Sequence, residues 1–203
     1  MKLYFSPTSP YVRKCLVTAD ELGLIDQISF LPSSAHPVHR DASIVAHNPL
    51  GKVPTLLTED GQSLYDSRVI CEYLNDLGGG SLLPANVALR WEAQSLQSLG
   101  DGILDAALLI RYEQTARPEA LRWNDWTAAK AEAVHSSLSH LEAGIAYFER
   151  EFHLGLLTLG CALWYLDLRF SDWRWRERYP KLAQASEPVL NRASMQKSWS
   201  IDS

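Results

Sequence analysis

Apolar and polar positions change rhythm once along this chain, and the change divides it. Lys2 to Phe5 reads as a short strand, and Ser6-Pro7-Thr8-Ser9-Pro10 as a turn. Val12, Cys15, Leu16, Ala19 and Leu22 then recur at helical spacing until Gly23. Gln27 to Leu31 predicts a second strand, followed by a polar stretch with His36, Pro37 and His39. Val53 to Leu57 and Ser63 to Tyr65 flank a turn with Asp60-Gly61, which predicts a hairpin. A helix carrying Val69, Ile70, Tyr73, Leu74 and Leu77 completes a βαβ-ββα order. Beyond Gly78-Gly79-Gly80-Ser81 the alternating pattern stops. Leu96, Leu99, Ile103, Ala107 and Ile110 step by three and four, as do Val134, Leu138, Leu141, Ile145 and Phe148. Leu154 to Phe170 is apolar nearly all round and predicts a central helix; Pro180 opens a last one. The expectation is an α+β chain: a mixed domain over 1–78, a linker over 79–86 and an all-helical domain over 87–203.

Composition narrows the function. A chain of 203 residues accommodates two modest cores. Its formal net charge of -5 lacks the basic surplus that a phosphate backbone rewards, so nucleic acid is excluded as the expected partner. The basic aromatic run Arg174-Trp175-Arg176-Glu177-Arg178 reads as a solvated helix face with Trp packed beneath. Met-Lys-Leu-Tyr-Phe-Ser-Pro at the start has no long apolar run and predicts no signal peptide. The longest apolar stretch, Leu154 to Leu168, falls short of the roughly 18 residues a membrane span needs. Cys15, Cys71 and Cys161 are odd in number and not at metal-ligand spacing, which predicts free thiols in a reducing compartment.

Three short motifs could carry chemistry, and each also has a plain structural reading. Ser9 precedes Pro10 at a helix start and is the natural N-cap. The same helix terminus stabilises an anion. A bound thiol whose pKa dropped by about two units would gain about 2.7 kcal/mol of differential stabilisation and become mostly thiolate. Val53-Pro54 reads as an ordinary trans bond at a strand start or, if cis, as a bond exposing the Val53 N–H and C=O to a short peptide in β fashion. Asp66-Ser67 either caps the following helix or holds the carboxylate and ammonium of one amino-acid end. Lys52, and less so His39 and Arg40, could meet a second carboxylate or face solvent. His36 and His39 lack the further ligands a metal site needs, so no metal is expected. Asn48-Pro49-Leu50-Gly51-Lys52 lacks the phosphate-loop pattern.

In order and spacing, Ser9-Pro10-Tyr11, Asn48 to Pro54 and Leu64-Tyr65-Asp66-Ser67 resemble the soluble glutathione S-transferases. Ser9-Pro10-Tyr11-Val12-Arg13-Lys14 is similar to the bacterial serine-type members. Tyr165-Leu166-Asp167-Leu168-Arg169-Phe170 and Tyr179-Pro180-Lys181-Leu182 extend the resemblance into the second half. The resemblance implies a thioredoxin-like first domain and a cytoplasmic homodimer. It implies Ser9, or Thr8 if the turn is shifted, as the thiol-activating residue. Val53, with Pro54 cis, would hold the cysteinyl backbone of glutathione, and Asp66 and Ser67 the γ-glutamyl end, with Lys52 nearby. It also implies a small hydrophobic electrophile between the domains, against Leu104, Leu108, Arg111 and Tyr112. The activity implied is conjugation of the glutathione thiolate for detoxification; a non-catalytic glutathione-binding scaffold and a glutathione-dependent peroxidase are the alternatives. Two departures stand out. Disulfide-reducing relatives place Cys where Ser9 stands. The Ser/Thr-x-x-Asp box that opens the central helix in relatives is His153-Leu154-Gly155-Leu156 here, so that helix is expected to lack its cap, at a cost of about 1 kcal/mol.

Overall fold

The computed structural model describes residues 1–199 and divides into two compact units. The first comprises Met1–Leu83 and the described residues from Gln196 on; the second is Pro84–Met195. The helical domain expected over 87–203 therefore gives up its last residues to the first unit, and 200–203 lie outside the described residues.

The first unit is built on a mixed sheet in the order β2-β1-β3-β4. β1 (Lys2–Phe5) pairs in parallel with β2 (Ser29–Pro32) and antiparallel with β3 (Leu56–Leu57), which pairs antiparallel with β4 (Ser63–Leu64). The ladder of β3 starts at Leu56 rather than Val53. Pro54 has no N–H to donate, and the chain joins the sheet only at Thr55, whose carbonyl accepts from Tyr4 N–H at 3.0 Å. The polar stretch holds one turn of helix, α2 (Ala42–Val45), which the sequence pattern does not signal. Asp41 caps it through Ser43 N–H, and Tyr4 Oη anchors it by donating to Ser43 C=O at 2.9 Å.

Helix α1 (Pro10–Glu21) buries Val12, Cys15, Leu16 and Ala19, the stripe its spacing predicts. It packs on α3 (Ser67–Leu77): Cys15 Sγ lies 4.0 Å from the Ser67 carbonyl, and Thr18 Oγ1 3.3 Å from Cys71 Sγ. Arg13 is also buried, because Lys197 and Trp199 lie over it. Its Nη1 donates to Lys197 C=O at 3.3 Å and its guanidinium sits 5.5 Å from the Trp199 ring, while Lys197 Nζ pairs with Asp20 at 2.5 Å.

The second unit is helical throughout its regular structure. α4 (Val87–Thr115) is about 43 Å long at 1.5 Å per residue. α5 (Asn124–Ala143) stops one turn before the predicted Ile145 and Phe148, which fall in a 3-10 segment. Gly144 ends it, with the Tyr147 ring folded where a side chain would stand. α6 (Leu154–Arg169) is buried on nearly every side, as its composition demands. Three shorter helices follow: α7 (Trp175–Arg178), α8 (Pro180–Leu190) and α9 (Ala193–Gln196). Among the described residues no helix is long and apolar enough to cross a membrane.

α6 is not uncapped. The His153 ring takes the place of the missing hydroxyl: its Nδ1 accepts from Gly155 N–H at 3.1 Å and Leu156 N–H at 3.3 Å. That requires a neutral ring with its proton on Nε2, which meets no hydrogen-bond partner among the described residues. His153 is only 5% exposed, and burial is the largest cause lowering its pKa; Arg150 adds to this and Glu92 opposes it. The sign follows. A histidine with a depressed folded pKa stabilises fully above its unfolded value of about 6.5, and that stability is lost as pH falls through the folded value. Denaturant melts from pH 7.5 to 5 are expected to show an acid loss that His153→Asn, a non-titrating cap, removes. An identical acid limb in both proteins would exclude His153 as its source.

Candidate functional site

The sheet brings the three motifs to one edge. β1 runs toward Phe5 and Ser9 follows it. β3 is antiparallel to β1, so Val53-Pro54 enters at the edge where β1 leaves. β4 is antiparallel to β3, with Leu57 opposite Ser63 and Leu56 opposite Leu64, so it delivers Asp66-Ser67 to that edge too. Residues separated by up to 58 positions are thus neighbours by topology alone.

Ser9 is partly exposed and caps α1: its Oγ accepts from Val12 N–H at 3.3 Å. That bond uses an oxygen lone pair. The hydroxyl proton stays available to donate, which lets one side chain serve as cap and thiol partner together. Thr8, one residue before, is exposed in the turn.

Val53 precedes a cis bond to Pro54. Neither its N–H nor its C=O takes part in a hydrogen bond among the described residues, so both are open to an extended peptide. Their placement depends on Asn48, which the sequence reading placed in the motif without giving it a role. Asn48 is 1% exposed; its Nδ2 donates to Lys52 C=O at 3.1 Å and Thr55 Oγ1 at 2.9 Å, and its Oδ1 accepts from Leu50 N–H at 3.0 Å. A buried amide with three partners fixes the loop that presents Val53. An Asn four residues ahead of a Lys-Val-Pro turn was the available signal. Lys52 itself is exposed.

Asp66 caps α3, its Oδ1 accepting from Arg68 N–H at 2.9 Å, while Oδ2 meets no donor among the described residues. Ser67 is 3% exposed at the first position of the helix. A carboxylate oxygen, a hydroxyl and a helix N-terminus side by side suit the ammonium and carboxylate of one amino-acid end.

Other candidates resolve locally. Arg40 Nη2 donates to Pro49 C=O, folding its guanidinium against Gly51. His36 Nδ1 accepts from the Val38 and His39 N–H groups, and the two imidazoles stack at 5.0 Å. In the helical unit Leu104 is fully buried, whereas Leu108, Arg111 and Tyr112 are partly exposed on α4. Burial raises the Tyr112 phenol pKa. The three cysteines are buried free thiols.

Comparison with known proteins adds four findings. Residues 8–77 match the family described as glutathione S-transferase, N-terminal domain. The chain is 33% identical over 198 residues, 96% of each protein, to the uncharacterized GST-like protein YibF of Escherichia coli (strain K12). A glutathione transferase family member from Pseudomonas fluorescens Pf-5, solved with bound glutathione, superposes with a TM-score of 0.92 at 39% identity over 96% of both chains. With S-(propanoic acid)-glutathione bound, a structure from the same organism gives 0.87 at 38% over the same shares. Likeness of this extent, running through both units and not the first alone, means that the chain belongs to the glutathione S-transferase family.

Proposed function

We propose that this protein is a glutathione transferase that activates the thiol with Ser9 and joins the sulfur to a small electrophile. The observation that carries the reading is the convergence of Ser9, Val53 and Asp66-Ser67 at one sheet edge. Val53 pairs with the cysteinyl backbone through its open N–H and C=O. Asp66 accepts from the γ-glutamyl ammonium while Ser67 and the start of α3 receive its carboxylate. Lys52, exposed on the loop, meets the second carboxylate. The Ser9 hydroxyl donates to the sulfur and the start of α1 favours its negative charge. The thiol proton leaves to solvent. The sulfur pair then forms a bond to the electrophilic carbon, and either a leaving group departs with its own pair or an alkene carbon takes up a proton. Leu108, Arg111 and Tyr112 are assigned to the second substrate, while Leu104, expected beside them, is fully buried and packs in the core instead. Thioether formation gains support from the Pseudomonas fluorescens relative that holds S-(propanoic acid)-glutathione.

The same reading places the protein in the cytoplasm, where its free thiols persist. It also makes it a homodimer, consistent with Val87 and Trp91, 69% and 65% exposed one turn apart on α4. The test is calorimetric titration with glutathione, followed by ultraviolet measurement of bound thiolate against pH. Saturable binding with the thiol pKa well below its free value of about 8.5 is the expected result. Binding at an unshifted pKa points instead to a non-catalytic glutathione-binding scaffold, and no binding at millimolar glutathione ends the transferase reading.

A further inference from the structure

Helices α4 and α6 meet at two glycines, and those contacts fix how they run. A Cβ on Gly155 would lie 2.4 Å from the Ala93 carbonyl oxygen, and one on Gly100 would lie 2.9 Å from Thr158 Cγ2 and 3.1 Å from Leu159 N. Ala93 faces Gly155 and Gly100 faces Thr158 and Leu159, so the two helices ascend in the same direction. Roughly three further turns bring Leu108, Arg111 and Tyr112 of α4 level with Tyr165 and Arg169 of α6.

Two guanidinium groups therefore share one end of this helix pair. Arg111 and Arg169 are both partly buried. Neither forms an ion pair with a carboxylate of the described residues, in contrast to Arg117, Arg150, Arg174 and Arg176, which all do. A cation withdrawn from water without a counter-charge is costly, and a bound anion offsets that cost. Tyr165, 2% exposed, lies beside Arg169, whose side chain donates a hydrogen bond to its phenol. Burial raises its pKa, Arg169 and Arg111 oppose that rise, and Tyr112 adds to it. Both arginines are thus within electrostatic reach of one phenol.

We infer that Arg111 and Arg169 form an anion-recognising patch that selects electrophiles carrying a carboxylate. The inference rests on the proposed transferase activity and names its second substrate class. Guanidinium groups hold a carboxylate in a planar, two-bonded geometry that a lone lysine cannot copy. Leu108 supplies an apolar wall for the rest of the molecule. Pairing the carboxylate also draws electron density from the reacting carbon, so the patch assists the reaction as well as binding.

A matched pair of substrates tests this: 4-chloro-3-nitrobenzoate and its neutral amide. In each, the thiolate bonds to the chlorine-bearing carbon, the ring holds the electron pair, and chloride then leaves with the C–Cl pair; the thiol proton goes to buffer. The wild type is expected to favour the benzoate at least tenfold in kcat/KM after subtraction of the uncatalysed rates. Arg111→Gln and Arg169→Gln are each expected to reduce that preference about tenfold, and Arg→Lys at either position to retain part of it. Titration with the two finished conjugates reads the same preference without turnover. Equal treatment of the pair, or a preference that survives both glutamine variants, overturns the patch while leaving the transferase intact. Arginine-dependent binding of the carboxylated conjugate with no turnover of either substrate upholds the patch and removes the transferase reading. Failure of glutathione and both conjugates to bind removes both.

Discussion

Ser9→Ala is expected to raise the pKa of the bound glutathione thiol by about two units and to cut its thiolate population near pH 7 about twentyfold. The rate falls less, by about threefold, because a thiolate about two units more basic is about six- to tenfold more nucleophilic. The loss shrinks as pH climbs past the free thiol value, where both proteins hold thiolate. That convergence is what distinguishes lost thiol activation from damage to the fold. A second effect must be separated from the first, since Ser9 also caps α1 through Val12 N–H and losing a cap costs about 1 kcal/mol. Ser9→Asp keeps the cap and sets a carboxylate beside the sulfur. It is expected to match the wild type in thermal stability while raising the thiol pKa at least as far as alanine does. A thiol pKa and rate left unchanged by Ser9→Ala would assign the serine to capping alone.

Gly155→Ala is expected to cost about 3 kcal/mol in the helical unit, at the upper end of what overpacking a core costs. The added methyl would stand 2.4 Å from the Ala93 carbonyl oxygen, with Leu96 Cβ and the His153 ring each 2.9 Å away. The nearest obstacle is backbone, which cannot rotate aside, so α4 and α6 must separate or the first turn of α6 must distort. Either outcome disturbs the His153 cap, whose acceptor lies 3.1 Å from Gly155 N–H. Chemical denaturation of the two proteins measures the difference. A loss under about 1 kcal/mol would mean that the helices part easily and that the close approach has little structural consequence. Gly102→Ala, on the facing helix α4, has open space and is the control; it should gain slightly from helix propensity.

Much of this was legible in the sequence. The period-two and period-3.6 patterns located β1, α1, α3, α4 and the buried α6, because burial on one face or all faces leaves a direct imprint on composition. Ser9 and Asp66 were readable as caps, since capping depends on a side chain and the two or three residues after it. The resemblance carried by their spacing identified the family. The extent of β3 was not legible: Val53 and Thr55 look like strand residues, but pairing is decided by which partner groups are within reach and by the N–H that Pro54 lacks.

What the tertiary structure alone decided concerns contacts between distant parts of the chain. Sheet topology set Ser9, Val53 and Asp66 at one edge; no local propensity specifies which strands pair or in which direction. Asn48 became the organiser of the Val53 loop only once Lys52 and Thr55 folded around it. His153 supplies the cap the sequence reading expected to be missing, because burial keeps its ring neutral and its Nδ1 lone pair free to accept. Arg111 and Arg169 lie 58 positions apart, and only the parallel run of α4 and α6, permitted by Gly100 and Gly155, brings them to the same end of the helix pair. Sequence therefore determined the elements and their ends through short-range periodicity and capping. Structure decided the candidate site, because a binding surface is a relation between elements and its energy comes from groups that meet only after the chain has folded.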